Sequence, residues 1–116
     1  MKEDDVVITT LTQADGQVKR RPALILRVMP GLGDLLVCGF STQLNQRTVS
    51  FDEIIFPSDA DFASSGLSTV SPIRLGFLAL RPSTGINGVI GAISTERHGR
   101  LLRRLSDCLS ANLSPF

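Results

Sequence analysis

Two apolar runs, Ala23-Leu24-Ile25-Leu26 and Leu35-Leu36-Val37-Cys38-Gly39-Phe40, stand on either side of Pro30-Gly31-Leu32-Gly33-Asp34. A turn cluster between two β-branched and aliphatic runs predicts a hairpin. Strands with one wet face alternate apolar and polar residues. These runs do not alternate, so both faces of the hairpin have to be covered. Pro22 suits the start of the leading strand, where a missing N–H costs little. Residues 23–41 are therefore the heart of the core.

The rest of the chain is read around that hairpin. Val6-Val7-Ile8-Thr9-Thr10-Leu11 predicts a first strand, ended by the Ala14-Asp15-Gly16 turn. Val49 to Phe56 predicts a weaker strand closed by Pro57, and residues 58–66 predict one helical turn capped by Ser58 or Asp59 and stopped by Gly66. Thr69 to Leu80 alternates at Ile73, Leu75 and Phe77, and Gly88 to Ile93 predicts a last short strand after the Pro82-Ser83-Thr84-Gly85 turn. Only the end reads as a long helix. Ser94 or Thr95 caps it, Leu101, Leu102, Leu105, Cys108 and Leu109 recur on one side, and it is expected to end at Asn112. This order predicts a mainly β chain with a C-terminal helix, a small barrel in a single domain spanning residues 1–116.

Composition closes off several functions. At 116 residues with 42% hydrophobic and 20% charged residues, the chain can bury a core of its own. No apolar run approaches the roughly 20 residues that span a bilayer, and Met1-Lys2-Glu3-Asp4-Asp5 does not lead into a secretory signal, so the cytoplasm is the expected location. Twelve Lys and Arg against eleven Asp and Glu leave a net charge of +1, so any nucleic-acid site has to be local. Tyr and Trp are absent and six Phe are scattered, which shows no run of stacking aromatics. Cys38 and Cys108 belong to no metal-ligand spacing and read as buried, reduced core residues. No metal or cofactor is expected.

Other polar features have ordinary readings. His98, the sole histidine, lies in the first turn of the helix without a nucleophile motif such as GxSxG, so a structural role is expected. Asp52 and Glu53 are adjacent on a strand, point to opposite faces, and read as loop-edge charges. Arg97, Arg100, Arg103 and Arg104 flank the leucine stripe as a solvated face. Gly31-Leu32-Gly33 opens no helix and is a turn, not a phosphate cradle.

What remains is Lys19-Arg20-Arg21 at the entry to the hairpin and Ser41-Thr42-Gln43 at its exit. If the tip lies near residue 31 or 32, position 21 falls opposite position 41 or 42. A forked, permanently charged guanidinium beside a hydroxyl suits a phosphate. Basic residues before a strand and Ser or Thr after one are also ordinary edge residues.

These same residues resemble a known family. Arg20-Arg21-Pro22-Ala23-Leu24-Ile25-Leu26 followed by Val37-Cys38-Gly39-Phe40-Ser41-Thr42-Gln43 is similar to the MazF/PemK toxins of type II toxin–antitoxin systems. Ser65-Gly66-Leu67, Ile73-Arg74-Leu75 and the terminal leucine helix resemble that family's second half. Two departures stand out: Asp4-Asp5 replaces the usual Gly-Asp opening, and the loop before Arg21 lacks a Glu-Gln-Gly stretch. The resemblance implies an SH3-like small barrel of the MazF/PemK/CcdB kind that forms a homodimer and cuts single-stranded RNA without metal. It further implies that Arg21 and Ser41 carry the reaction, with Thr42 the next candidate, and that a cognate antitoxin with an acidic tail is a partner. The alternatives are a noncatalytic, degenerate toxin-like binding module and a CcdB-like gyrase poison.

The chemistry of the residues agrees with a nuclease. RNA supplies its own nucleophile, so the protein has only to orient the 2′-OH, remove a proton and stabilise the phosphorane. Arg21 suits charge stabilisation, because a guanidinium is permanently charged and therefore a poor proton carrier. Ser41 or Thr42 would hold a nonbridging oxygen. Lys19, Arg20 and Gln43 are the expected RNA-binding residues.

Overall fold

The computed structural model describes residues 1–111. The strands are β1 (Asp5–Thr12), β2 (Val18–Val28), β3 (Leu35–Phe40), β4 (Glu53–Ile55), β5 (Ser71–Arg81) and β6 (Ile86–Ala92). A single helical turn, α1 (Phe62–Ser65), precedes β5, and α2 (Thr95–Ser110) follows β6. All six strands join one antiparallel sheet in the order β4-β5-β3-β2-β1-β6, curled into a half-barrel with the terminal helix packed on it. The fold class is the one expected from the sequence.

The hairpin does face apolar material on both sides. Leu24 and Leu26 join Val6, Cys38, Ile73 and Leu75 under Leu101 and Leu105 of α2. Their neighbours Ala23 and Ile25 point the other way and meet Val7, Leu11, Leu35 and Val37. Strand alternation thus feeds two cores from one run. Each fully buried aliphatic side chain contributes roughly 1.5–3 kcal/mol relative to exposure, which is why a short sheet with one long helix suffices.

The two ends of the sheet are tied through α1. Its carbonyls pass so close to β6 that a Cβ on Gly91 would stand 2.2 Å from the Ser64 oxygen, and one on Gly66 would stand 2.2 Å from the Ile90 oxygen. Gly66 also has φ +76°, so it serves both as the left-handed stop of α1 and as the point of contact. The Ser64 hydroxyl donates to the Ala92 carbonyl at 3.1 Å.

Several local expectations are corrected. Lys19, Arg20 and Arg21 lie inside β2, not before it, because the β1–β2 ladder runs on to Thr12 and Val18. The strand expected over 49–56 shrinks to Glu53–Ile55, since Thr48 to Asp52 turns, with Ser50 at φ 68°. Asp52 is no edge charge: it is buried, and its carboxylate accepts from the Thr48 and Leu75 N–H groups, both at 2.9 Å. Asp61, not Ser58 or Asp59, precedes α1. Ser94 caps α2 by accepting from the Arg97 N–H at 3.1 Å. The helix closes at Ser110, and the expected end at Asn112 lies outside the described residues. Cys38 is buried, and burial pushes its thiol well up, so it stays protonated. Cys108, by contrast, is exposed, and the last buried residue of the helix is Leu105. His98 is buried and its Nε2–H donates to the Leu26 carbonyl at 2.8 Å, the structural role expected of it.

Candidate active site

β2 is paired on one side along its whole entry but on the other only from Ala23, which faces Gly39. Arg21 and Pro22 consequently sit where β2 has no β3 neighbour. β3 ends at Phe40, and the chain turns away through Ser41, Thr42 and Gln43 into a short 3-10 turn at Leu44–Gln46. The Ser41 N–H donates to the Pro72 carbonyl at 3.0 Å, which holds the start of that turn against β5. The gap left between β2 and this turn is a cleft of about 400 Å³, lined among others by Arg21, Ser41, Thr42, Gln43, Arg74 and Phe77.

Arg21 and Ser41 are thus brought to one cleft, as the hairpin register predicts. They lie two residues beyond the Ala23–Gly39 pair on their respective strands. Thr42 and Gln43 line the same cleft and are exposed. The Ser41 hydroxyl is already engaged. It donates to Gln46 Oε1 at 2.5 Å and accepts from the Gln43 N–H at 3.0 Å, a local turn of the kind short hydroxyl side chains form.

Lys19 and Arg20 do not line the cleft. They sit opposite Leu11 and Thr10, closer to the β1–β2 turn. Arg20 also falls on the opposite side of the strand from Arg21 by the alternation of the pleat.

Arg74 and Phe77 were not among the expected site residues. They arrive through a bulge: Cys38 pairs with Leu78 but the next residue, Gly39, pairs with Arg74, so Leu75, Gly76 and Phe77 form an extra loop in β5. Strict alternation over Ile73, Leu75 and Phe77 hides this. Gly76, an isolated glycine in a strand pattern, is the signal that marks it. Asp52 secures the bulge from below through the Leu75 N–H.

A second charged cluster lies across the sheet, and it corrects the reading of the helix arginines. Arg97 is only 7% exposed. Its guanidinium donates to Asp61 through Nε at 2.9 Å and Nη2 at 3.1 Å, to Glu53 at 2.8 Å and to Asp59 at 3.1 Å. Glu53 also receives Arg100 and Arg104, each at 3.1 Å. Burial alone would raise the Asp61 pKa, but hydrogen bonds from Arg97 and from the Ser94 N–H outweigh it and hold the carboxyl below its ordinary value. The same cluster works against the burial of Arg97 and raises the pKa of that guanidinium. Arg100 is raised chiefly by its hydrogen bond to Glu53. These contacts join α2 to β4 and to the segment before α1.

The cleft has the opposite character. Among the described residues its lining holds two ionisable side chains, Arg21 and Arg74, and no carboxylate or imidazole. Among the described residues neither arginine forms an ion pair. Such a site receives a negative charge without first displacing a protein carboxylate.

Neither a protein-family model nor a curated protein matches the chain. Solved structures do match it. The Mycobacterium tuberculosis toxin MazF-mt6 superimposes with a TM-score of 0.66 over 94% of this chain and 99% of that one, at 20% sequence identity. The fold is MazF-like. At that identity the likeness is one of architecture, and it places this chain's cleft on a MazF-like sheet without assigning a reaction to it.

Proposed function

We propose that this chain is the endoribonuclease toxin of a toxin–antitoxin pair, cutting single-stranded RNA at a phosphate held in the cleft between Arg21 and the Ser41–Thr42 segment. The observation that carries this reading is the convergence of Arg21 and the Ser41 and Thr42 hydroxyls in a cleft that, among the described residues, holds no carboxylate. The MazF-like fold supports it.

The reaction follows from those groups. The 2′-oxygen of the substrate attacks the adjacent phosphorus, the bond to the 5′-oxygen breaks, and the products are a 2′,3′-cyclic phosphate and a 5′-hydroxyl. Negative charge grows on the nonbridging oxygens during attack. Arg21 offers them a fixed pair of donors that needs no reorganisation. Thr42, exposed and making no side-chain hydrogen bond among the described residues, supplies a further donor. Ser41 can do so only by turning away from Gln46. With no carboxylate or imidazole in the lining among the described residues, the 2′ proton passes to solvent and the leaving oxygen recovers one from solvent. The rate then rises with pH between 6 and 8 with no bell.

The partners follow the same electrostatics. An acidic, extended antitoxin tail is suited to the arginine-lined cleft and would inhibit by occupying it. Homodimerisation belongs to the proposal, and Gln43 is assigned to the RNA. Lys19 and Arg20 would act at longer range, attracting the backbone from beside the cleft. Inducible expression followed by mapping of cut ends in total RNA tests the reading. New 5′-hydroxyl ends at a recurring short sequence, absent for Arg21→Ala, are expected. Expression without new ends points instead to a noncatalytic binding module.

A further inference from the structure

The bulge in β5 does more than fill space. It brings Arg74 and Phe77 to the cleft together, with the guanidinium carbon 5.6 Å from the centre of the phenyl ring. That ring rests on Gly39: a Cβ there would stand 2.7 Å from Cδ2 and 3.0 Å from Cε2, so any other residue would expel it. The pair is thus located from both directions, by a missing side chain below and by a cation above.

We infer that Arg74 and Phe77 form a nucleobase-stacking platform, on which the base next to the scissile phosphate lies against the guanidinium plane backed by the ring. The inference rests on the ribonuclease reading of the cleft and adds a subsite to it. Three observations favour a base over a second phosphate. First, a guanidinium and an aromatic ring stand together at the cleft, and bases in single-stranded RNA stack on both kinds of group. Second, the cleft lining also includes the apolar side chains of Phe40, Leu67 and Ile90, which suit a base and not a phosphate. Third, Gln13, Gln43 and Gln46 also line the cleft. A primary amide both donates and accepts, as the edge of a base requires. A volume of about 400 Å³ is in the range of small-ligand sites and suits a nucleotide unit.

The test uses the full chain and short single-stranded RNAs made uncleavable by 2′-O-methylation, with affinity read by fluorescence anisotropy. An oligonucleotide series carries one abasic residue at each position in turn. With the unaltered protein, one abasic position is expected to weaken binding by about tenfold, within the range for one base stacked on an aromatic side chain. Phe77→Leu should weaken binding of the intact oligonucleotide to the same degree and abolish the sensitivity to that position. Arg74→Lys keeps the charge but loses the plane, and should behave like Phe77→Leu with the salt dependence unchanged. Abasic substitution that is harmless everywhere overturns the platform without requiring any variant to fold. So does an Arg74→Lys protein that binds like the parent, which would make Arg74 a phosphate contact. If either result comes from a protein that cleaves unmodified RNA, only the platform falls. If the protein neither binds nor cleaves RNA, the ribonuclease reading falls with it.

Discussion

Arg97 and Arg21 are the same side chain in two opposite situations. Arg97 is buried and meets three carboxylates, one of them shared with two further arginines. Arg21 is half-buried in a cleft whose lining, among the described residues, holds no carboxylate. A guanidinium taken out of water has to be compensated, and the chain does so for Arg97 with its own acids. Around Arg21 the compensation is left to whatever enters the cleft. Charge that the protein satisfies itself holds elements together, whereas charge left open in a concave site is available to a ligand.

That contrast predicts a separation of effects. Arg97→Ala leaves buried Asp61 without its guanidinium partner and Glu53 with only Arg100 and Arg104, and should destabilise the fold by about 3–5 kcal/mol. Urea denaturation would show it as a lowered midpoint, and a midpoint close to that of the parent would put the cluster among ornamental ion pairs. Arg21→Ala should instead leave the midpoint unchanged and reduce kcat/KM on single-stranded RNA by roughly two to three decades, the loss expected for one preorganised donor. Should it unfold the protein, the division between the two arginines would fail.

Acid should act on the first region alone. Folding lowers the Asp61 pKa below its ordinary 3.8, so the unfolded chain binds that proton more readily. The stability that Asp61 contributes is complete above about pH 4 and is lost as pH falls through the lower, folded value. Denaturation midpoints between pH 5 and 3 should decline, and decline less in Arg97→Ala. The smallest effect belongs to the hydroxyls. Thr42→Ala should cost about tenfold in cleavage, the scale of one hydrogen bond to a charged group. Ser41→Ala should cost less, because its proton is already given to Gln46. The reverse order would make Ser41 the donor and its bond to Gln46 a resting state.

Much of this was legible before the fold was seen, for physical reasons that can be named. The unbroken run Ala23 to Leu26 demands cover on two faces, and the structure provides two cores. The Pro30-to-Asp34 turn sets the hairpin to within one residue, and a register shift between Ile25 and Arg27 brings position 21 towards position 41. Helix α2 is announced by its leucine spacing and its Ser94 cap. What escaped was set by tertiary contact. Nothing near Arg97 in sequence distinguishes it from Arg100 or Arg103. Its acids come from residues 53, 59 and 61, brought to it only by the curl of the sheet and the placement of α1. Likewise Phe77 reads as one more alternating core residue, and it does pack against the second core, but only the bulge at Gly76 places it in the cleft lining as well. Cys108 follows the apolar stripe of α2 but lies beyond Leu105, the last buried residue of the helix, and is exposed.

The central claim is that the open arginine cleft cleaves RNA through the substrate's own 2′-OH. Purified protein, incubated in excess chelator with a single-stranded RNA and its all-deoxy counterpart, tests it directly. Cleavage of the RNA alone is expected, with a 2′,3′-cyclic phosphate on one product, a 5′-hydroxyl on the other, and a drop of about a hundredfold or more for Arg21→Ala. Equal cleavage of the DNA, or an RNA cleavage rate indifferent to Arg21→Ala, would contradict it.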